Sequence, residues 1–231
     1  MVPGSKSETN RALVLAALAD GPSTVTGALA SRDCDLMLKA LRNLGVAFKQ
    51  GPVDTLRVYP PTQFRAAREG IDCGLAGTVM RFVPPLAALA DGPTRFFGDP
   101  QASNRPMAGV LEGLRQLGAA VDSNRLPFTI TPARLGRAAE VVIDSSASSQ
   151  FLSGLMLIGA RLAGGLRIRH VGSSVPSRPH VEMTITMLRE RGVEVVETGP
   201  TSWEVQKGSI QALDCHIEPD LTNAAVFLAA A

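Results

Sequence analysis

The chain has 231 residues, 45% hydrophobic and 19% charged, with a net charge of +2 and three cysteines. Such a composition excludes collagen-like, disordered and disulfide-scaffold classes, and the length suffices for one large core or two small ones. The cationic excess is too small for a nucleic-acid footprint, and aromatic residues able to stack on bases make up only 4%, so no nucleic-acid partner is expected.

The longest apolar stretches, Ala12 to Ala19 and Ala224 to Ala231, fall far short of the ~20 residues that a bilayer crossing needs, so no membrane partner is expected. Met1-Val2-Pro3-Gly4 has no charged leader or apolar core of an export signal. Cys34, Cys73 and Cys215 are odd in number and widely spaced, which reads as free thiols in a cytoplasmic protein. His170, His180 and His216 have no metal-ligand spacing. Cys215 and His216 together read as strand packing, so neither metal nor organic cofactor is expected.

In chain order the elements repeat. The apolar helix from Asn10 to Leu18 stops at Asp20-Gly21 and leads into the alternating strand Ser-Thr-Val-Thr at 23–26. An amphipathic helix from Met37 to Leu44 follows, stopped by Gly45, and then come two alternating segments, Val46 to Phe48 and Thr55 to Tyr59. The second helix pair opens at Gly74 to Arg81, stops at Gly92, and continues through Thr-Arg-Phe-Phe at 94–97 to Leu-Arg-Gln-Leu-Gly118, Ala119 to Val121 and Pro127 to Thr131. The third opens at Ser145 to Gln150, stops at Gly165, and runs through Arg-Ile-Arg-His at 167–170 to Leu-Arg-Glu-Arg-Gly192, Val193 to Val196 and Ser202 to Gln206. Gly21, Gly92 and Gly165 lie 71 and 73 residues apart, and Gly45, Gly118 and Gly192 lie 73 and 74 apart. Asn223 to Ala231 aligns with Asn10 to Leu18, which reads as a fourth unit cut inside its first helix.

Each unit therefore reads as βαβαββ, with an opening strand added. The predicted fold is α/β (α+β), a pseudo-threefold repeat in which apolar inner helices are surrounded by sheets and the second helices (Lys39, Arg42; Glu112, Gln116; Arg189, Glu190) lie nearer solvent. Three inner helices around one axis can point their N-termini at one place. Those N-termini carry Ser5, Ser7 and Arg11, then Gly77, Thr78 and Arg81, then Ser148, Ser149 and Gln150. Hydroxyls, cations and unpaired N–H groups at helix starts suit phosphate and carboxylate, although Ser or Thr before any one helix is equally read as a cap. Arg105 and Arg178 add cations from loops, whereas Arg42, Arg57, Arg65, Arg68 and Arg137 read as solvated surface.

Pro-Gly-Ser-Lys-Ser-Glu-Thr-Asn-Arg at 3–11, Ser-Arg-Asp-Cys-Asp at 31–35, Leu-Ala-Gly-Thr-Val-Met-Arg at 75–81, Asn-Arg-Pro at 104–106, Ser-Ser-Gln-Phe-Leu at 148–152, Ser-Arg-Pro-His at 177–180 and Asp-Leu-Thr-Asn-Ala-Ala at 220–225 together resemble the EPSP synthase family of 3-phosphoshikimate 1-carboxyvinyltransferases. The resemblance implies a cytoplasmic shikimate-pathway enzyme of two lobes, monomeric at full length. It transfers the enolpyruvyl group of phosphoenolpyruvate to the 5-hydroxyl of shikimate 3-phosphate without a cofactor, and it is the glyphosate target. By motif, Lys6 resembles the lysine shared by both substrates, Ser7 and Arg11 resemble shikimate-phosphate ligands with Arg11 on the carboxylate, and Ser148, Ser149 and Ser177 resemble the grip on the 3-phosphate. Gln150 lies against the ring, and Gly77 and Arg105 resemble contacts of the phosphoenolpyruvate phosphate. Thr78, Arg81, Arg178 and His180 are further candidates.

Leu75, Phe82, Arg178 and His180 depart from residues common in the family. The bare Gly77 implies a glyphosate-sensitive pocket. The resemblance further implies residues 1–12 as a crossover from the other lobe, 13–218 as the three-repeat shikimate 3-phosphate lobe and 219–231 as the start of the second lobe. The opening strand before Pro3 is then absent or reduced to Met1 and Val2. The catalytic aspartate and lysine belong to the complementary lobe, so no catalytic residue is expected here and the chain alone is expected to be inactive. Two alternatives remain: UDP-N-acetylglucosamine enolpyruvyl transferase, although the loop Pro100 to Pro106 lacks its cysteine, and a non-catalytic module holding a phosphorylated metabolite.

Overall fold

The computed structural model describes residues 2–52, 54–132, 139–221 and 224–225. The first unit runs α1 (Lys6–Leu18), β1 (Ser23–Thr26), α2 (Arg32–Asn43), β2 (Ala47–Gln50) and β3 (Thr55–Tyr59). The second runs β4 (Ile71–Asp72), α3 (Gly77–Ala87), β5 (Thr94–Phe97), a 3-10 turn at Pro100–Asn104, α4 (Ala108–Gln116), β6 (Ala120–Val121) and β7 (Phe128–Thr131). The third runs β8 (Ala139–Ile143), α5 (Gln150–Gly159), β9 (Leu166–His170), α6 (Arg178–Glu190), β10 (Val195–Gly199) and β11 (Ser202–Val205), and β12 (Cys215–His216) follows.

The three sheets share one plan, with orders β12-β1-β3-β2, β4-β5-β7-β6 and β8-β9-β11-β10. In each, a parallel pair is extended by two antiparallel strands. In the first unit Val2 belongs to no strand. Cys215 and His216 fill the opening strand's seat, parallel to Val25 and Thr26, because a parallel partner need not be a sequence neighbour and the chain after β11 returns beside β1. This bears out the strand-packing reading of Cys215 and His216.

The helices sort by their polar faces. In α1 every residue from Thr9 to Leu18 is buried, α3 is buried throughout, and α5 is buried from Phe151 to Gly159. By contrast α2 buries only the stripe Cys34, Met37, Ala40 and Leu41 and leaves Lys39 and Arg42 exposed. The strands alternate likewise: in β9, Leu166, Ile168 and His170 point inward while Arg167 and Arg169 point out. Backbone contact between α3 and α5 is close enough to require glycine, since a Cβ on Gly154 would stand 2.3 Å from the Arg81 carbonyl oxygen. The repeated glycines after the outer helices have one cause as well: Gly45, Gly118 and Gly192 adopt φ of 98°, 104° and 77°, a left-handed turn that L side chains resist.

Residues 6–12 form the first half of α1, which packs in this core, and the segment before it pairs with one near the end of the described chain. Gly4 bridges Pro219 antiparallel, with Ser5 N–H donating to the Glu218 carbonyl and Asp220 N–H to that of Pro3, both at 2.8 Å. Arg42 and Arg57 lie at the surface over the rings of Phe48 and Tyr59, and Arg137 falls outside the described residues. All three cysteines are free, Cys34 and Cys73 being buried. Among the described residues no helix is long and apolar enough to cross a membrane.

Candidate anion-binding site

A hydroxyl at a helix start is either spent on the helix or available to a ligand, and the geometry separates the two cases. Ser5 caps α1, accepting from Glu8 N–H at 3.4 Å, and Ser31 caps α2, accepting from Cys34 N–H at 3.3 Å. The reciprocal arm of the Ser5 box is diverted: Glu8 Oε2 accepts from Glu218 N–H across the crossover instead of from Ser5. Ser149 and Ser177 stand at the N-cap positions of α5 and α6 without any side-chain cap bond, and the cap of α3 is Ala76. Ser177 is also left-handed, with φ 52° and ψ 51°, a conformation that strains any residue bearing a Cβ.

Ser149 and Ser177 meet further polar groups, among them Ser148, whose Oγ accepts from Gln150 N–H at 3.2 Å. A cleft of about 350 Å³ is lined by Ser148, Ser149 and Gln150 at the start of α5, Ser177 and His180 at the start of α6, and Arg81 and Arg105. Gly77, the first residue of α3, forms its floor: a Cβ there would lie 3.0 Å from Arg105 Nη2, 3.1 Å from Arg81 Nη1 and 3.3 Å from Gln150 Oε1. The N-termini of α3 and α5 thus contribute positive dipole ends beside two guanidinium groups, although Gln150 N–H and Phe151 N–H at the start of α5 are bonded to Ser148. Arg81 is aimed by bonds to the carbonyls of Pro106 (2.6 Å) and Gly77 (3.3 Å), and Arg105 by a bond to the carbonyl of Leu75.

Arg11 lies beneath the cleft wall, only 1% exposed. Its donors are spent on Thr184 Oγ1 (2.7 Å), the carbonyls of Ser7 (2.9 Å) and His180 (3.1 Å), and Ser153 Oγ (3.3 Å). Its guanidinium sits 5.0 Å over the Phe82 ring. In this arrangement it braces the wall and does not face into the cleft. Thr78 is likewise committed, its hydroxyl accepting from Asn10 Nδ2 at 2.8 Å and tying α1 to α3. Lys6 is exposed and ion-paired to Asp33 at 3.1 Å. Arg178 stands apart from the cleft, paired with Glu182 and Glu197 beside a separate recess that contains Trp203.

Among the described residues no carboxylate lines the cleft. Burial pulls both Arg11 and Arg81 down to about 10, helped for Arg81 by repulsion from Arg105, so both remain cations at neutral pH. Burial and then Arg11 lower the His180 imidazole. Arg81, buried and facing the cleft with no acid lining it among the described residues, is a cost that an anion in the cleft would relieve.

Sequence reading overlooked Ser153 and Thr184, the hydroxyls that hold Arg11, and Asp33, the partner of Lys6. The first two had a signal: each is a polar residue within an otherwise apolar buried run, α5 and the inward stripe of α6. Asp33 had none, because nothing in the spacing brings the start of α2 to Lys6.

The EPSP synthase (3-phosphoshikimate 1-carboxyvinyltransferase) family model matches residues 1–231. A solved EPSP synthase from Acinetobacter baumannii superposes with a TM-score of 0.83 at 25% identity, covering 99% of this chain and 51% of that one. A second structure of EPSP synthase from that organism gives 0.83 at 26% identity, covering 98% and 51%. The enolpyruvyl transferase NikO from Streptomyces tendae shares the fold, with a TM-score of 0.72 at 18% identity and coverage of 99% and 53%. The chain spans about half the length of these structures. Its repeat, its sheets and a family match along its whole length make it a member of the EPSP synthase family.

Proposed function

We propose that the cleft binds shikimate 3-phosphate and that this chain is one lobe of an enzyme transferring the enolpyruvyl group of phosphoenolpyruvate to the substrate's 5-hydroxyl. One observation carries the reading: Arg81, Arg105 and the hydroxyls of Ser149 and Ser177, neither spent on capping, converge with two helix N-termini on a cleft that no carboxylate lines among the described residues. Two polyanions repel each other, and fixed cations and N–H dipoles offset that repulsion before reaction begins. Ser148, Ser149 and Ser177 hold the 3-phosphate and Gln150 lies along the ring. Arg105, with the open floor at Gly77, receives the phosphoenolpyruvate phosphate.

In the reaction the 5-hydroxyl oxygen bonds to C2 of phosphoenolpyruvate as its own O–H proton leaves and C3 gains a proton. The tetrahedral adduct then loses inorganic phosphate and a proton from the new methyl group, restoring the double bond. The residues here bind, orient and neutralise; the groups that move these protons come from the second lobe. Lys6 leaves Asp33 to reach both substrates on closure, and the paired segments 3–5 and 218–220 are the hinge.

The test is calorimetric titration of the folded chain with shikimate 3-phosphate, followed by a phosphate-release assay with and without the complementary half of the enzyme. Binding by the chain, with turnover only after complementation, is expected. A folded chain that gives no binding heat removes the ligand assignment, and turnover by the chain alone removes the two-lobe requirement.

A further inference from the structure

Among the described residues that line the cleft, His180 carries the titratable side chain whose charge can change near neutral pH. It sits in the first turn of α6, its N–H bonded to the Ser177 carbonyl at 2.9 Å and its own carbonyl held by Arg11. The ring nitrogens make no hydrogen bond among the described residues. The charged groups around it are all cations: Arg11 from α1, Arg81 from α3 and Arg105 from the loop before α4. α5 presents no titratable side chain. The acids of its own neighbourhood are engaged elsewhere, Glu182 of α6 and Glu197 of β10 both pairing with Arg178. Glu8 of α1 faces Glu218 and the far end of α6 at Glu190.

Partial burial and then Arg11 lower the imidazole and so favour its neutral form. A dianionic phosphate ester reverses the sign of the local field: it cancels the arginines and offers acceptor oxygens to a ring with unused nitrogens. We propose that His180 takes up a proton from solvent when the anionic substrate docks, so that binding tightens as pH falls from about 8 to about 6 and the bound imidazolium becomes an additional cation on the substrate. This rests on the reading of the cleft as the substrate site. The proton comes from buffer and no covalent bond changes.

The experiment is calorimetry of shikimate 3-phosphate binding at neutral pH in buffers of different ionisation enthalpy, comparing the chain with His180→Gln. The substrate phosphate titrates identically in both proteins and cancels in the difference. The unsubstituted chain should take up at least roughly a third of a proton more than the variant, and its affinity advantage should grow about five- to tenfold between pH 8 and pH 6. Equal proton uptake together with a pH-independent affinity ratio leaves the site and overturns the inference. No binding heat from either folded protein overturns both. NMR titration of the imidazole in the unsubstituted chain gives a second reading that does not depend on the variant folding: saturation with shikimate 3-phosphate should raise its midpoint by roughly one pH unit, and an unmoved midpoint overturns the inference.

Discussion

Gly77→Ala separates a role in binding from a role in folding. An added Cβ would lie 3.0 Å from Arg105 Nη2 and 3.1 Å from Arg81 Nη1, while ordinary contact begins at 3.4 Å. Ordinary spacing would need Arg105 to retreat by about 0.4 Å and Arg81 by about 0.3 Å, and the larger move falls on Arg105. Arg81 is buried and fixed by the carbonyls of Pro106 and Gly77. Arg105 is exposed and tied to Leu75 alone, so Arg105 gives way. A charge-assisted bond stretched by that amount leaves its favourable range, and losing one outright costs about 1.5–3 kcal/mol, or roughly 10- to 150-fold in Kd. Folding moves in the other direction. Gly77 opens a helix without a positive φ, so alanine there should stabilise the chain by up to about 1 kcal/mol. The assay is titration with phosphoenolpyruvate at saturating shikimate 3-phosphate, with the second half of the enzyme supplied, alongside thermal melts and the same substitution in an Arg105→Ala background. The affinity should fall without a large fall in Tm, and the substitution should cost less once Arg105 is gone, leaving only the Arg81 contact. An equal cost in both backgrounds, or a Tm lowered by more than about 4 °C, would refute the reasoning.

Capping and ligand binding can be told apart by a pair of alanines. Ser149→Ala should leave Tm unchanged and weaken shikimate 3-phosphate roughly tenfold or more, because its hydroxyl caps nothing. Ser31→Ala should cost about 0.5–2 kcal/mol of stability and leave affinity alone; the opposite pattern would return the serines to structural duty. At the crossover, burial raises the Glu8 carboxyl above 4.5, with Glu218 and Glu190 adding repulsion against the lowering bond from Glu218 N–H. A carboxyl raised in the folded state favours the folded chain while protonated and loses that contribution as pH rises through its folded value. Glu8→Gln should therefore raise Tm at pH 7 relative to the unsubstituted chain, with the difference vanishing below about pH 4. A gain that persists in acid would locate the effect in packing instead.

Much of the architecture was legible because it is written three times. Glycines recurring every 71–74 residues, apolar helices without a polar face and outer helices with one are local properties, fixed by φ preference and by side-chain burial. The serine, glycine and arginine motifs marked where a ligand could sit, and Arg81, Arg105, Ser148, Ser149, Gln150, Ser177 and His180 do share one cleft. Sequence spacing could not say which of two uses a polar group serves, since Ser5 and Ser149 look alike until one hydroxyl is found bonded to its helix and the other is not. Nor could it show that Arg11 spends its donors inward on Thr184 and Ser153, 173 and 142 residues away, or that Arg178 turns to Glu182 and Glu197. The seat of Cys215 and His216 beside β1 is another long-range pairing. Local chemistry selects helix, strand and turn; the partner that satisfies a buried donor or an open sheet edge is set only when distant segments meet.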